Sequence, residues 1–473
     1  MAVRPRVMKR SREAATGPKL GDGLLTDGIS MAYRLSLLVV PATLWLAACA
    51  TNGASAGAAD APASTDTAKS TEVPTTKPAT ADSTPQAETA PQQPRTTSST
   101  GFVDWVAGFR REAAARGVAG ATLADAFDSA ALIPRVIELD NRQPEFNRAI
   151  WDYLDTAVSD TRVTHGREKY EAYRDVARNT EARYGVPGSI ITAIWGMESN
   201  YGANYGNYET IDALATLGYD GRRESFAKNQ LYAALKILAN GDIPRDRMKG
   251  SWAGAMGNTQ FIPTSFVAYA VDADGDGRRD IWNSIPDTMA STANYLAKNG
   301  WRDGEPWGRE VRLPAGFDYA VADGKTERSS AQWQAMGVSA VDNRGLPELS
   351  DAGIIAPAGA SGPAFMTGHN FRTILRYNNA VSYALGVALL SDRITGAPGV
   401  QADWPRGAAT LSNAETRTLQ ANLNRLGYSA GTPDGILGPN TNSAVRAFQR
   451  DHGLAADGFV TQALAERVAG AAN

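Results

Sequence analysis

The stretch SIITAIWGMESNYG, residues 189–202, places a carboxylate at the end of a segment that is otherwise typical of a buried helix. Ile191, Ile194 and Glu198 stand at positions i, i+3 and i+7, so they share one stripe of an α-helix. We therefore expect Glu198 to face packed protein or a cleft. Burial raises the pKa of a carboxyl group, as a general acid near neutral pH requires. An ion pair with an arginine, or capping of a backbone amide, would explain the same glutamate without catalysis.

The composition is that of a globular chain without a strong charge. The 473 residues carry 47 basic and 50 acidic side chains, for a formal net charge of −3. A chain of this length can form two or three domains. Its charge balance argues against nucleic acid as a partner, and we expect a monomer that binds a neutral or mixed ligand.

The single cysteine, Cys49, follows an apolar segment near the N-terminus. In residues 31–49, Arg34 precedes an apolar run that is too short for an ordinary membrane-spanning helix but suits a signal-peptide core. The ending LAAC resembles a bacterial lipobox, which implies removal of the signal and a lipid anchor on Cys49. Ala50 after it implies the periplasmic face of the outer membrane. A chance apolar segment before an ordinary cysteine is the alternative.

The composition changes several times along the chain. Residues 1–30 do not resemble a signal, so they are either an extra N-terminal segment or precede a translation start at Met31. Residues 50–100 are rich in Ala, Thr, Ser and Pro, and we expect a disordered tether. Helical spacing is present in residues 102–117, 166–184, 188–199, 224–239, 287–299 and 369–391. Residues 304–362 favour a small β insertion, and residues 395–408 a linker.

Three further segments carry a family resemblance: residues 207–226, 249–301 and 367–387. Together with the stretch around Glu198, they resemble, in the same order, the catalytic domain of the lytic murein transglycosylases of the membrane-bound B type. The resemblance covers residues 101–394. It implies a mainly α protein whose catalytic domain is lysozyme-like α+β, with a helical N-terminal part and a small β insertion.

In that family the matching glutamate is the single acid/base, so the resemblance implies this role for Glu198. The reaction would be non-hydrolytic cleavage of the β-1,4 bond between N-acetylmuramic acid and N-acetylglucosamine, leaving 1,6-anhydromuramoyl ends. Ordinary glycosidases need a second carboxylate, and neither Glu209 nor Asp212 stands out as one. A hydrolytic muramidase and a non-catalytic wall-binding scaffold remain as alternatives.

Around the acid, the resemblance implies a cleft that binds the sugar rings and their acetamido groups. Its residues, by matching motif positions, are Ser251, Met256, Gln260, Tyr295, Tyr377, Asn378 and Tyr383. Phe261 would also line the wall. For each aromatic residue, packing in the core is the alternative.

The acidic segment DADGDGRRDIWN, residues 272–283, begins like a calcium-binding EF-hand loop. Asp272, Asp274 and Asp276 occupy loop positions 1, 3 and 5, and a glycine follows where the turn is sharpest. Position 12, normally a bidentate glutamate, is Asn283. This departure predicts a lower calcium affinity.

In the resembled family the loop is longer, which implies that Asp287 closes it and that Arg278 contributes its backbone carbonyl. We expect any bound Ca²⁺ to be structural, since the chemistry requires no cofactor. A surface turn held by aspartate side chains without an ion is the alternative.

The C-terminal residues 409–473 form a separate helical module in this interpretation. Two amphipathic helices, 411–426 and 441–452, flank the Asp-Gly pairs at Asp434 and Asp457. The module resembles the small three-helix peptidoglycan-binding domain of many wall hydrolases. It would hold the enzyme on glycan strands or stem peptides and raise its effective concentration at the wall.

Overall fold

The computed structural model describes residues 100–141, 149–342, 344–408 and 410–473. Cys49, the predicted signal peptide and the predicted tether before Thr100 lie outside these residues. No helix in the described ranges is long and apolar enough to cross a membrane.

The described residues form seventeen α-helices and six short strands, which confirms the mainly α fold class. The helices are α1 (Thr100–Ala115), α2 (Gly120–Phe127), α3 (Pro134–Asn141), α4 (Ile150–Ala157), α5 (Asp160–Ala172), α6 (Arg174–Tyr184), α7 (Gly188–Ser199), α8 (Thr210–Asp220), α9 (Glu224–Ala239), α10 (Pro263–Tyr269), α11 (Ile285–Lys298), α12 (Ser330–Ala335), α13 (His369–Tyr377), α14 (Val381–Ile394), α15 (Asn413–Arg425), α16 (Pro439–Asp451) and α17 (Gln462–Ala472). The strands are β1 (Tyr208–Glu209), β2 (Lys249–Gly250), β3 (Gly308–Arg312), β4 (Ser339–Ala340), β5 (Gly353–Ile355) and β6 (Ala364–Thr367).

Two of the predicted helices, α7 and α9, begin and end at the predicted residues. The predicted helix 166–184 is two helices, α5 and α6, which meet at Tyr173. The predicted helix 369–391 is also two, α13 and α14. The second break falls at Asn378 and Asn379, and asparagine favours non-helical backbone because its side chain competes for backbone hydrogen bonds.

The two largest apolar cores lie within residues 102–394. One centres on α7 and α14 and contains Ile191, Ile194 and Leu385, all fully buried. The other is built mainly from α1, α8 and α9. Tyr295 and Tyr377 pack against both cores, so these two side chains mark the boundary between them.

The predicted β insertion is present as a four-stranded antiparallel sheet with strand order β4-β3-β6-β5. Strand β6 pairs with both neighbours and is buried along its whole length. A second, two-stranded sheet joins β1 to β2, with Tyr208 opposite Gly250.

The C-terminal module has three helices, α15 to α17, and a core of its own. Leu419, Leu423, Val445, Phe448 and Leu464 form its centre. The predicted three-helix architecture is therefore confirmed. Ser412 caps α15 in a reciprocal capping box with Glu415, which fixes where the first helix begins.

Candidate active site

Helix α7 carries Glu198 into the interior. Eleven of its twelve residues are buried, and Ile191 and Ile194 are fully enclosed on the stripe that leads to Glu198. The side chain of Glu198 is only 6% exposed. The predicted helical stripe is therefore present, and it places a carboxyl group against packed protein.

Tyr383, on α14, is the hydrogen-bond partner of this carboxyl group. Its hydroxyl donates to Oε1 of Glu198 at 2.5 Å, and its side chain is only 2% exposed. Burial raises the pKa of Glu198 to about 8, and the hydrogen bond from Tyr383 opposes this rise. At neutral pH, Glu198 is therefore a protonated acid with one phenol beside it.

Glu209 and Asp212, the nearest acidic residues along the chain, bind an arginine instead. Arg245 contacts Glu209 Oε2 at 2.5 Å through Nη1 and Asp212 Oδ1 at 2.6 Å through Nη2. Glu209 lies on β1 directly before α8, whose first turn contains Asp212. Burial raises the pKa of Asp212, and neither carboxylate contributes to the shift at Glu198. Both carboxylates belong to an ion cluster with Arg245, and neither is placed to act as a second catalytic acid.

A row of aromatic rings extends from the acid. Tyr383 stacks on Tyr377 with ring centroids 6.5 Å apart, and Tyr377 lies 4.8 Å from Tyr295. Phe261 lies 5.7 Å from Tyr295 and 5.8 Å from Tyr377. The Tyr377 hydroxyl donates to the carbonyl oxygen of Thr259 at 2.7 Å. The structure thus brings the predicted aromatic residues together on one side of Glu198.

The remaining predicted cleft residues have different surroundings. Gln260 is half-buried and donates through Nε2 to the carbonyl oxygens of Tyr205 and Gly257, both at 2.9 Å. Ser251 Oγ accepts the amide of Ala255 at 3.1 Å, which shapes its own loop.

Asn378 is half-buried at the end of α13, next to Tyr377. Met256 is fully buried, and its amide donates to the carbonyl oxygen of Phe261 at 2.9 Å. Met256 therefore packs behind the aromatic row.

The turn after the acid has strained backbone, which was not predicted from the sequence. Asn200 and Tyr201 both have positive φ, 49° and 59° respectively. Positive φ is unusual for an aromatic residue such as Tyr201. The Tyr201 hydroxyl donates to the carbonyl oxygen of Arg162 at 2.9 Å. A Cβ on Gly196 would lie 2.5 Å from the Tyr201 ring, and one on Gly166 2.5 Å from its hydroxyl. Two glycines thus make room for a ring that holds the end of α7.

Asn258 is a second residue that sequence reasoning missed. It is 2% exposed, accepts Trp195 Nε1 at 3.0 Å and donates to the Trp282 carbonyl oxygen at 2.9 Å. Its own carbonyl oxygen accepts the Ser199 hydroxyl at 3.1 Å. Asn258 therefore connects the residues that flank Glu198 to the exit of the acidic loop. Only its position within the motif MGNTQF, residues 256–261, could have suggested it.

In the acidic loop, carboxylate oxygens of Asp272, Asp274 and Asp276 all lie within 4.8 Å of one another. This donor set suits a hard cation such as Ca²⁺. Asp287 is fully buried and outside that group of three, and its oxygens accept the amides of Ala273 at 2.7 Å and Asp280 at 2.8 Å. Burial raises the pKa of Asp287.

Two other residues of this loop make contacts within it. Arg278 donates its amide to Asp276 Oδ1 at 2.8 Å, and Asn283 donates Nδ2 to Asp280 Oδ2 at 2.9 Å. Asn283 therefore supports the loop through Asp280. The three clustered carboxylates are the residues best placed to hold an ion.

A lysozyme-like helical domain in which a buried, protonated carboxyl group lies beside a row of aromatic rings is typical of a glycan-cleaving enzyme. The transglycosylase SLT domain family matches residues 101–392, and the putative peptidoglycan binding domain family matches residues 412–467. The chain belongs to the transglycosylase SLT domain family, in the group of membrane-bound lytic murein transglycosylases of the B type.

Relatives and solved structures agree with this assignment. The chain is 32% identical to membrane-bound lytic murein transglycosylase B of Escherichia coli (strain K12), over 52% of this chain and 68% of that protein. It is similar to Pseudomonas aeruginosa SltB3 in complex with NAG-anhNAM-pentapeptide, with TM-score 0.76 and 47% identity over 78% of this chain and all of that one. The Escherichia coli lytic transglycosylase Slt35 in complex with calcium has TM-score 0.52 and 29% identity, covering 63% of this chain and 93% of that one.

Proposed function

We propose that this protein is a lytic transglycosylase that cleaves the β-1,4 bond between N-acetylmuramic acid and N-acetylglucosamine in peptidoglycan, without water, for remodelling or turnover of the wall. The observation that carries the proposal is Glu198: one buried carboxyl group, protonated at neutral pH, whose hydrogen-bond partner is a phenol and not a second acid. A hydrolytic route with two carboxylates has no support at this site.

In the proposed reaction Glu198 acts first as an acid and then as a base. Its proton passes to the glycosidic oxygen as the bond to the muramoyl anomeric carbon breaks and an oxocarbenium-like state develops. The muramoyl 6-hydroxyl then bonds to that carbon, and its proton returns to Glu198. The product is a 1,6-anhydro end. The Tyr383 hydroxyl, 2.5 Å from Oε1, stabilises the carboxylate between the two steps.

We assign the sugar contacts to the aromatic row and the polar groups around it. Tyr377 and Tyr295, both half-buried, have rings of the kind on which sugars stack, and the buried Phe261 packs against both of them. Ser251, Gln260 and Asn378 supply hydrogen-bonding groups for the acetamido substituents. Met256 supports the wall from behind, because it is fully buried.

Mass spectrometry of digested peptidoglycan tests the reaction. Purified sacculi incubated with the protein should release muropeptides with anhydromuramoyl ends. Reducing ends would identify a muramidase, and no soluble product would identify a scaffold. The Glu198→Gln variant should release nothing, with Glu168→Gln, an exposed residue on α5, as the matched control.

The protein acts in the cell envelope, where peptidoglycan is located. We further propose that it is a lipoprotein anchored through Cys49 on the periplasmic face of the outer membrane, which the LAAC ending and Ala50 support. Cys49→Ser should abolish labelling by a fatty-acid probe and move the protein to the soluble periplasmic fraction. An unchanged fractionation would contradict the anchor.

We also propose that separate segments of the chain carry out catalysis and wall binding. Residues 101–394 carry out catalysis, residues 395–408 form a linker, and residues 409–473 bind the wall. The separate core of the C-terminal helices supports this division. A chain that ends before residue 409 should keep its activity on soluble glycan fragments and bind sacculi more weakly.

The acidic loop is the proposed calcium site. Asp272, Asp274 and Asp276 would hold the ion, and the related Slt35 has a solved structure in complex with calcium. The ion would stabilise the loop next to Asn258 and would take no part in cleavage of the glycosidic bond. Asp287 keeps a structural role in this proposal, since its oxygens accept backbone amides.

A further inference from the structure

The C-terminal module contains an internal repeat. The sequence RTLQ, residues 417–420, is followed by DGIL at 434–437, and RAFQ, residues 446–449, is followed by DGFV at 457–460. We name residues 434–436 the first turn and residues 457–459 the second turn. Each turn begins with an Asp-Gly pair. Each also follows a helix that contains one of the two four-residue motifs, and both motifs end in glutamine.

The two turns have the same hydrogen bonds. In the first, Gly435 donates to Gln420 Oε1 at 2.9 Å, and Asp434 Oδ1 accepts Gln420 Nε2 at 2.9 Å and Ile436 N at 2.8 Å. In the second, Gly458 donates to Gln449 Oε1 at 2.8 Å, and Asp457 Oδ1 accepts Gln449 Nε2 at 2.7 Å and Phe459 N at 2.9 Å.

The second turn binds the catalytic part. Asp457 Oδ2 accepts the Ala360 amide at 2.9 Å, and Phe459 packs against Trp151, with ring centroids 6.4 Å apart. The segment it contacts, residues 358–361, is Ala-Gly-Ala-Ser. A Cβ on Gly359 would lie 2.4 Å from the Asp457 carboxylate, so only glycine permits this approach. The second turn therefore binds the backbone next to Gly359 in two ways. One carboxylate oxygen of Asp457 accepts a backbone N–H, and the apolar side chain of Phe459 packs beside the glycine.

The first turn presents the same groups to solvent. Its aspartate, Asp434, is exposed and uses Oδ1 for both bonds within the turn. Ile436 corresponds to Phe459 and is 63% exposed, more than the other exposed large apolar side chains of the described residues.

We propose that the first turn is the contact site of the module for the peptide part of peptidoglycan. A stem peptide offers the group that the second turn binds at Ala360, a backbone N–H beside a small side chain. The related SltB3 has been solved with a sugar that carries such a pentapeptide. Asp434 accepts a stem-peptide amide, and Ile436 packs on its aliphatic groups. This inference rests on the proposed action on peptidoglycan and names the ligand of the C-terminal module.

Co-sedimentation with purified sacculi tests the proposal. The full chain carries Glu198→Gln, so that the wall is not digested, and the sacculi are used before and after an amidase has removed the stem peptides. Adding Ile436→Ser should weaken binding to intact sacculi by about tenfold, the effect of losing a buried aliphatic contact. Binding to the peptide-free glycan should equal that of the parent. Met336→Ser, which changes a side chain 43% exposed after α12, should bind like the parent in both cases.

Two results would overturn the proposal: equal binding of the Ile436→Ser variant and its parent to intact sacculi, or the same loss with and without stem peptides. A parent that does not bind sacculi would overturn it as well. The proposed reaction has an independent readout, the anhydro product released by the chain with Glu198 intact. A failed wall contact is thereby distinguished from a failed enzyme assignment.

Discussion

The hydroxyl of Tyr383 lies 2.5 Å from Oε1 of Glu198, although 185 residues separate the two in the chain. The contact joins the C-terminal end of α7 to the first turn of α14 across the largest core. Among the described residues, it is the only side-chain hydrogen bond that contributes to the pKa of Glu198, which burial raises to about 8.

Tyr383→Phe should move the alkaline limb of the pH profile of kcat/KM to higher pH. The reaction needs protonated Glu198, so the activity of the parent falls as pH rises through about 8. Loss of a hydrogen bond to a charged group disfavours the carboxylate by about 1.5–3 kcal/mol, or roughly one to two pKa units. The maximal rate should fall on the order of tenfold, because the carboxylate formed after proton donation is less stable.

Tyr295→Phe is the control for this measurement. The Tyr295 hydroxyl donates to the carbonyl oxygen of Arg376 at 2.5 Å and does not contact Glu198. The alkaline limb of this variant should stay where the parent has it. A Tyr383→Phe profile with an unmoved alkaline limb would contradict the proposed coupling.

Glu198→Gln should make the protein more stable at alkaline pH. The folded state keeps Glu198 protonated up to about pH 8, whereas the ordinary pKa of this group is 4.5. Stability from this site is therefore complete below pH 4.5 and is lost as pH rises through 8, by up to roughly 5 kcal/mol. Thermal unfolding at pH 6 and pH 9 measures the effect: Tm should fall less for Glu198→Gln than for the parent. An equal fall in both would argue against a buried, protonated Glu198.

Local and long-range features of the site differ in what the sequence could predict. The helix that presents Glu198 was predictable because its stripe of Ile191 and Ile194 is a local pattern. Tyr383 and Tyr377 could be placed only by family resemblance, since no local pattern specifies which distant helix packs against α7. The left-handed backbone of Tyr201 was not predicted, because aromatic residues rarely adopt it.

Gly196→Ala should impair catalysis by displacing the turn after Glu198. The added Cβ would lie 2.5 Å from the Tyr201 ring, which must then move. We expect a loss of about 1–3 kcal/mol in stability, typical of overpacking, and at least about a tenfold loss in kcat with KM near that of the parent. Gly120→Ala at the start of α2 meets no atom within 4 Å and should retain the parent's kcat. A destabilised Gly196→Ala variant with full kcat in its folded fraction would limit Tyr201 to a structural role.

Calcium should raise the Tm of the parent and leave that of Asp274→Asn nearly unchanged. Binding to the folded state alone stabilises it by RT ln(1 + [Ca²⁺]/Kd), about 2.7 kcal/mol at 100 times Kd. The variant removes one of three carboxylates that lie within 4.8 Å of one another. Differential scanning fluorimetry of chelator-treated protein, with and without millimolar calcium, measures the shift. Asp246→Asn, an exposed residue outside the loop, should respond like the parent.

Phe459→Ser should release the C-terminal module from the catalytic part. The ring of Phe459 packs on Trp151, and Arg406, in the proposed linker, is bound to Asp155 at 2.6 Å. With the ring removed, the Asp457 bond to the Ala360 amide remains, and a single exposed hydrogen bond contributes only about 0.5–1.5 kcal/mol. The linker should then open more often, and trypsin should cleave after Arg406 several times faster.

The internal repeat supplies the matched control for this last experiment. Ile436→Ser changes the corresponding residue of the first turn, which is 63% exposed. Trypsin should cleave this variant at the rate of the parent. Equal acceleration in both variants would mean that the module had been destabilised as a whole, because both turns are held by the same glutamine-to-turn bonds. A selective effect of Phe459→Ser would establish that one repeat docks the module while the other is left free for the wall.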